Sequence, residues 1–219
     1  ANRFGKVSPT TAHHVADQLG HCVDMIVDGG PSRVGLESTI VDLRGVRPRV
    51  LRPGGVTLED LQEALEMEVH LGSGVGVEVE AGGPRPVSPG QLPRHYATDT
   101  PLVVRAHGED VGGAVDRSLA PSAGDGAPLR VCRLCFGFGP QGKNGPALTP
   151  GNLQYVICAT ESLPGDGDMR TTAAGLFGAM RRLDSMGCDL IVSDRVQESG
   201  LGRAVMDRLS RAEHNRRSE

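Results

Sequence analysis

Apolar positions fall into short runs and helical stripes that alternate along the chain. Ala12, Val15, Ala16 and Leu19 recur at helical spacing, and Gly20 ends the run. Ser8 followed by Pro9 fits an N-cap and a proline at the first helical position, which predicts a helix starting there. Residues 23–27 (Val-Asp-Met-Ile-Val) read as a strand closed by Asp28-Gly29-Gly30-Pro31, and residues 40–43 and 50–51 as two further short strands. Thr57 is placed to cap a second helix with Asp60 at its third position. Val56 and Leu61 can staple its start, and Leu58, Leu61 and Leu65 line one face.

After Val69 the pattern decays. Residues 72–99 are rich in Gly, Pro and short polar side chains and predict an interdomain linker. Beyond it, strands are predicted at 102–104, 131–136, 155–159 and 190–192. Helices are predicted at 109–119, 172–186 (Leu176, Met180 and Leu183 on one stripe) and 201–211. Strands alternating with helices predict an α/β fold with a mostly parallel, Rossmann-like sheet. The chain therefore divides into 1–71, a linker or lid at 72–99, and a C-terminal α/β domain at 100–219.

Composition narrows the function classes. With no Trp, two Tyr and four Phe, base stacking is a poor route to nucleic-acid binding. A net charge of −4 gives no global drive towards nucleic acid or membrane. No apolar run reaches a membrane span and no signal peptide is visible. The five cysteines (22, 132, 135, 158, 188) are odd in number and lie mostly in apolar runs, which reads as reduced core thiols of a cytoplasmic protein. The chain begins at Ala1 without Met, inside what reads as a loop, and is expected to be a fragment.

Two motifs lose their apparent chemistry on inspection. Gly137-Phe138-Gly139-Pro140-Gln141-Gly142 has GxGxxG spacing after a strand, but Lys143-Asn144-Gly145-Pro146 blocks the helix that must receive a pyrophosphate, so it reads as a surface loop. Cys132-Arg133-Leu134-Cys135 puts its cysteines on opposite faces of a strand, with no second ligand pair for zinc. His13-His14 and the Arg216-Arg217 tail receive no role.

The strand ends are more promising. Gly35-Leu36-Glu37-Ser38-Thr39 runs into one strand, and Arg52-Pro53-Gly54-Gly55 closes the next. A guanidinium at a strand end suits phosphate or carboxylate, and turn glycines let a ligand approach the backbone; the plain alternatives are a strand start and a surface ion pair. Ser8 is either a simple cap or part of a phosphate site at a helix N-terminus. Ser88-Pro89-Gly90 and His95-Tyr96 are odd for a flexible linker; they fit a lid folded over the first domain or a domain-docking contact.

Taken together, these segments resemble the threonylcarbamoyl-AMP synthase (YrdC-like) family in its long two-domain form. The resemblance rests on Asn2, Ser8-Pro9-Thr10-Thr11-Ala12, Val23-Asp24, Asp28-Gly29-Gly30, Gly35 to Asp42, Leu51-Arg52-Pro53-Gly54, Ser88-Pro89-Gly90, His95-Tyr96, Gly200-Leu201-Gly202 and Val205-Met206-Asp207-Arg208-Leu209. It covers nearly the whole chain. It implies a partial YrdC-like domain lacking its first half, then the linker and the extra C-terminal domain.

The implied reaction joins L-threonine, bicarbonate and ATP, with Mg2+, into threonylcarbamoyl-AMP, pyrophosphate and water. The product would pass to the tRNA threonylcarbamoyl transferase machinery, with tRNA itself a further candidate contact. By the same resemblance Asn2, Ser8, Arg52, Ser88 and Tyr96 would bind ATP, Ser38 would bind threonine, and His95 would belong to the lid. The competing readings are a non-catalytic RNA-binding module and a carbamoyltransferase of the hydrogenase-maturation type. The latter adds CxxC pairs and an acylphosphatase segment that this chain does not display.

Overall fold

A computed structural model describes residues 2–72, 77–80, 83–86, 95–118, 127–137 and 146–213. The largest unit is a five-stranded sheet in the order β6-β10-β7-β9-β8, built from β6 (Leu102–Val104), β7 (Leu129–Phe136), β8 (Pro146–Leu148), β9 (Gln154–Leu163) and β10 (Leu190–Ser193). Four strands are parallel and only β8, at one edge, runs antiparallel.

Side chains alternate across this sheet with period two, as a strand demands. Leu102, Val104, Cys132, Leu134 and Ile191 face α4 (Met169–Asp184) and α5 (Leu201–Glu213), while Val103, Val131, Leu190 and Val192 face α3 (Val111–Ser118). Helices on both faces explain why these strands are continuous apolar runs. The expected α/β class and mostly parallel sheet are therefore present. Asp168 caps α4 by accepting from the Thr171 amide.

The N-terminal segment carries α1 (Ala12–Leu19), α2 (Leu58–Leu65) and a sheet in the order β1-β2-β3, from β1 (Ile40–Asp42), β2 (Arg49–Arg52) and β3 (His70–Leu71). Thr57 and Asp60 form the expected capping box of α2. The start of α1 differs from expectation: Thr11, not Ser8, is the N-cap and accepts from the His14 amide at 3.2 Å. Residues 23–27 are not a strand. Val23, Met25 and Val27 are exposed and enter no ladder among the described residues, so β-propensity found no partner there.

The Gly/Pro-rich stretch contains a hairpin, β4 (Val77–Glu80) against β5 (Gly83–Pro86). Its far end is anchored. Lys6 and Ala97 form a parallel bridge, and the Asp184 carboxylate accepts the Asp99 and Thr100 amides at 3.0 and 2.7 Å. Val7 and Tyr96 lie in the same apolar core as α4 and α5, so both chain segments dock on the C-terminal unit.

The reduced-core reading of the cysteines is corrected in part. Cys132 and Cys188 form a disulfide joining β7 to the turn before β10, where adjacent parallel strands bring them together. Cys22 and Cys158 are exposed; Cys135 alone is a buried free thiol, and burial pushes it up to about 11. Among the described residues, no helix is long and apolar enough to cross a membrane.

Candidate functional site

The β1–β2 pairing builds the site. Ile40 is opposite Arg52, so the residues just before β1 lie beside those just after β2. Arg52 is 8% exposed and donates from Nε and one terminal nitrogen to the Ser38 carbonyl at 3.1 and 2.8 Å; the same terminal nitrogen reaches Ser38 Oγ at 3.2 Å. Ser38 itself is exposed. The two strand ends singled out by the sequence are therefore in direct contact.

The turn glycine has a different purpose from the one expected. A Cβ on Gly54 would collide with the backbone of Glu37, Ser38 and Thr39, so its missing side chain admits the chain itself rather than a ligand. The Gly55 amide then bonds the Glu37 carbonyl at 3.1 Å, and the Val56 amide bonds Thr39 Oγ1 at 3.1 Å.

Glu37 is the junction with neighbouring elements. Ser8 Oγ donates to its Oε1 at 2.6 Å, and Ser8 lies three residues before Thr11, the cap of α1. Arg208, from α5, donates Nε to Oε2 at 3.0 Å and places a terminal nitrogen 2.9 Å from the same oxygen. Its other terminal nitrogen bonds the Pro53 carbonyl and, at 3.0 Å, Asp207. The guanidinium lies 5.4 Å from the centre of the Tyr96 ring. Arg208 is completely buried.

Tyr96 is also completely buried and stacks on Phe177, centroids 5.4 Å apart at 27°. His95 meets it edge-on at 4.1 Å, and Phe4 meets His95 at 6.3 Å. Tyr96 has φ +63°, a left-handed conformation that a bulky residue keeps only when its surroundings enforce it. Tyr96 Oη and His95 Nδ1 are buried without a hydrogen-bond partner among the described residues.

These groups form one electrostatic cluster. Burial pushes the Glu37 carboxyl up, but the Arg208 charge and the Ser8 hydroxyl outweigh it and hold the carboxyl below its ordinary value. Burial lowers His95; Glu37 opposes this, while Arg211, Arg208 and Arg52 reinforce it. Burial raises the Tyr96 phenol.

Of the sequence candidates, Ser8, Ser38, Arg52, His95 and Tyr96 are thus brought into one neighbourhood. Asn2 is not tied to it directly: its amide donates to the Arg3 and Lys6 carbonyls at 3.2 and 3.1 Å, closing a local turn whose end pairs with Ala97. Ser88 lies outside the described residues, as does the 137–142 loop after Gly137. Glu37 and Arg208, which join these candidates, are not singled out as candidates by the sequence reading. The signal for Arg208 was present: it falls at helical spacing with Val205, Leu209 and Ala212, a charge inside an apolar stripe. Clefts of about 490 Å³ at the β6–α3 loop and about 480 Å³ between α1 and α4 lie elsewhere. No cluster of three or more metal-ligating side chains occurs among the described residues.

Comparison with known proteins bears on the same elements. Residues 56–213 match the family model "Threonylcarbamoyl-AMP synthase, C-terminal domain", and residues 1–54 match the model described as "Telomere recombination". The threonylcarbamoyl-AMP synthases of Bacillus subtilis and Pyrococcus abyssi are 33% and 34% identical over 97% of this chain, which covers 55% and 56% of their lengths. The chain thus spans about half the length of the curated relatives it matches. The crystal structure of Pyrococcus abyssi Sua5 complexed with L-threonine superposes with a TM-score of 0.68 at 30% identity, over 98% of this chain and 56% of that one. A variant of that protein with consecutive His and Tyr replaced by Ala superposes at 0.63 and 26% identity, with the same coverage.

Proposed function

We propose, since the chain belongs to the threonylcarbamoyl-AMP synthase family, that the protein joins L-threonine, bicarbonate and ATP into threonylcarbamoyl-AMP, with release of pyrophosphate and water. The observation that carries this is similarity to two synthases over 97% of the chain. In this reading residues 1–71 contribute to the catalytic domain, 72–99 form the lid and 100–219 the C-terminal domain. Threonylcarbamoyl-AMP then supplies a tRNA threonylcarbamoyl transferase.

Threonine carbamate is an anion that must attack the α-phosphorus of another anion. Positioning and charge stabilisation suffice, and no protein nucleophile is required. Arg52 supplies a cation beside Ser38, close enough for one group to serve the nucleotide and the other the amino acid. ATP fits the lid chemically: two buried polar atoms, Tyr96 Oη and His95 Nδ1, lack partners among the described residues, and a nucleotide can satisfy both. His95-Tyr96 is the only His-Tyr pair in the sequence. Mg2+ would arrive on the ATP phosphates. Ser8 and Asn2 are further candidates for ATP binding; Ser8 joins the site through Glu37, while the Asn2 amide donates to the Arg3 and Lys6 carbonyls.

The test is pyrophosphate release from ATP by the full-length protein. Release that requires both threonine and bicarbonate is expected. Release independent of threonine, or none, would overturn the reading.

A further inference from the structure

We propose that Arg208 is a positioning residue through which α5 of the C-terminal unit sets the geometry of the Ser38–Arg52 site. This rests on the synthase reading above.

One guanidinium holds three separate pieces of chain: the Glu37 carboxylate, the Pro53 carbonyl and the face of Tyr96. Each adjoins or is a candidate site residue. Glu37 precedes Ser38, Pro53 follows Arg52, and Tyr96 is the proposed lid contact. The Glu37 and Pro53 segments are already joined across the β1–β2 strand ends, whereas Tyr96 belongs to a separate segment of chain, and Arg208 touches all three.

Core packing does not account for an arginine here. The neighbouring stripe positions, Val205, Leu209 and Ala212, are apolar and buried, and an apolar side chain at 208 would extend them without desolvating a charge. The planar fork matters as well. Nε donates to the Glu37 carboxylate, within ion-pair distance of a terminal nitrogen as well, the other terminal nitrogen reaches a carbonyl on another strand end, and the guanidinium lies over a ring. A lysine ammonium is a point charge and cannot serve all three at once.

A second α5 contact provides the control. Arg203 pairs with Glu59 of α2 at 2.5 Å, and so also ties α5 to the N-terminal segment, but away from the site.

The experiment compares the full-length wild type with Arg208→Met, Arg208→Lys, the double variant Glu37→Gln/Arg208→Met, and Arg203→Ala. The readouts are threonine-dependent pyrophosphate release, melting temperature and backbone hydrogen exchange. Arg208→Met should lower kcat/KM by about 10–100-fold, mainly through KM for threonine and ATP. It should also raise exchange at residues 37–39, 53–56 and 96–97 while leaving β6, β7 and β10 protected. Arg208→Lys should recover only part of the loss. The double variant has no unpaired carboxylate and should regain the wild-type melting temperature but not its KM. Arg203→Ala should stay near wild type.

A stable double variant with wild-type KM would overturn the proposal, as would unchanged exchange in the three segments of Arg208→Met. If the wild type itself shows no threonine-dependent release, the synthase reading falls, while exchange still decides whether Arg208 holds the three segments.

Discussion

Arg52 lays two N–H groups on the carbonyl of Ser38, so the cation and the residue at the neighbouring strand end are a bonded unit. Arg52→Ala removes the group that the proposed function assigns to phosphate and also the brace on Ser38. It should cost about 2–5 kcal/mol in kcat/KM for pyrophosphate release, the range for a desolvated charge partner. Arg52→Lys should recover little, because an ammonium cannot make the paired contacts. Steady-state kinetics with threonine and ATP varied separately would check this; a wild-type rate in Arg52→Ala would remove Arg52 from the site.

Tyr96 separates ligand binding from stability. Its hydroxyl is buried without a partner among the described residues, and burying such a group is unfavourable in the ligand-free fold. Tyr96→Phe keeps the stacking on Phe177. It should therefore leave the melting temperature unchanged or raise it, while weakening the stabilisation that ATP adds. Thermal shift with and without ATP measures both. A variant that melts lower without ATP, yet binds ATP normally, would contradict the assignment of that hydroxyl to the nucleotide.

Gly35 tests the docking of the N-terminal segment. It has φ +73° and is buried, and a Cβ there would collide with the backbone of Ala173 and Ala174 in α4. Gly35→Ala combines a left-handed backbone penalty of about 1–2 kcal/mol with overpacking of about 1–3 kcal/mol. The melting temperature should fall by several degrees. Exchange protection at residues 36–39 should fall more than in the five-stranded sheet.

The sequence carried the sheet and its helices well because their signals are local and repeated. Leu176, Met180 and Leu183 make one stripe, and Leu190-Ile191-Val192 is an apolar run that can only be buried on both faces. Signals that depend on a distant partner were misread. Ser8 looked like a cap, yet its hydroxyl is taken by Glu37, 29 positions away. Residues 23–27 have strand composition but enter no ladder among the described residues. The candidate pair Ser38 and Arg52 was legible as two strand ends, but not their mutual bond, which follows from the register of Ile40 opposite Arg52. Arg208 lay 171 positions from Glu37, and only its intrusion into an apolar stripe hinted at it.

Glu37 gives the fold a dependence on acid whose sign follows from its partners. Its carboxyl is held below the ordinary 4.5: burial raises it, but Arg208 and Ser8 outweigh burial. Its ionised form therefore adds stability that is fully present above that value and is lost as the pH falls through the lower, folded-state value. The groups that lower it are Arg208 and Ser8, and its charge acts in turn on His95 and Tyr96. Melting temperature measured from about pH 6 down to about pH 3 should fall more steeply in the wild type than in Glu37→Gln, which has no carboxyl to protonate there. In Arg208→Met the largest opposing charge is gone and burial pushes the carboxyl up. The loss of stability on acidification that Glu37 causes should then disappear or reverse, because protonation favours the folded state once its carboxyl lies above the unfolded value. Parallel curves for all three proteins would show that Glu37 does not titrate against Arg208 in the folded state.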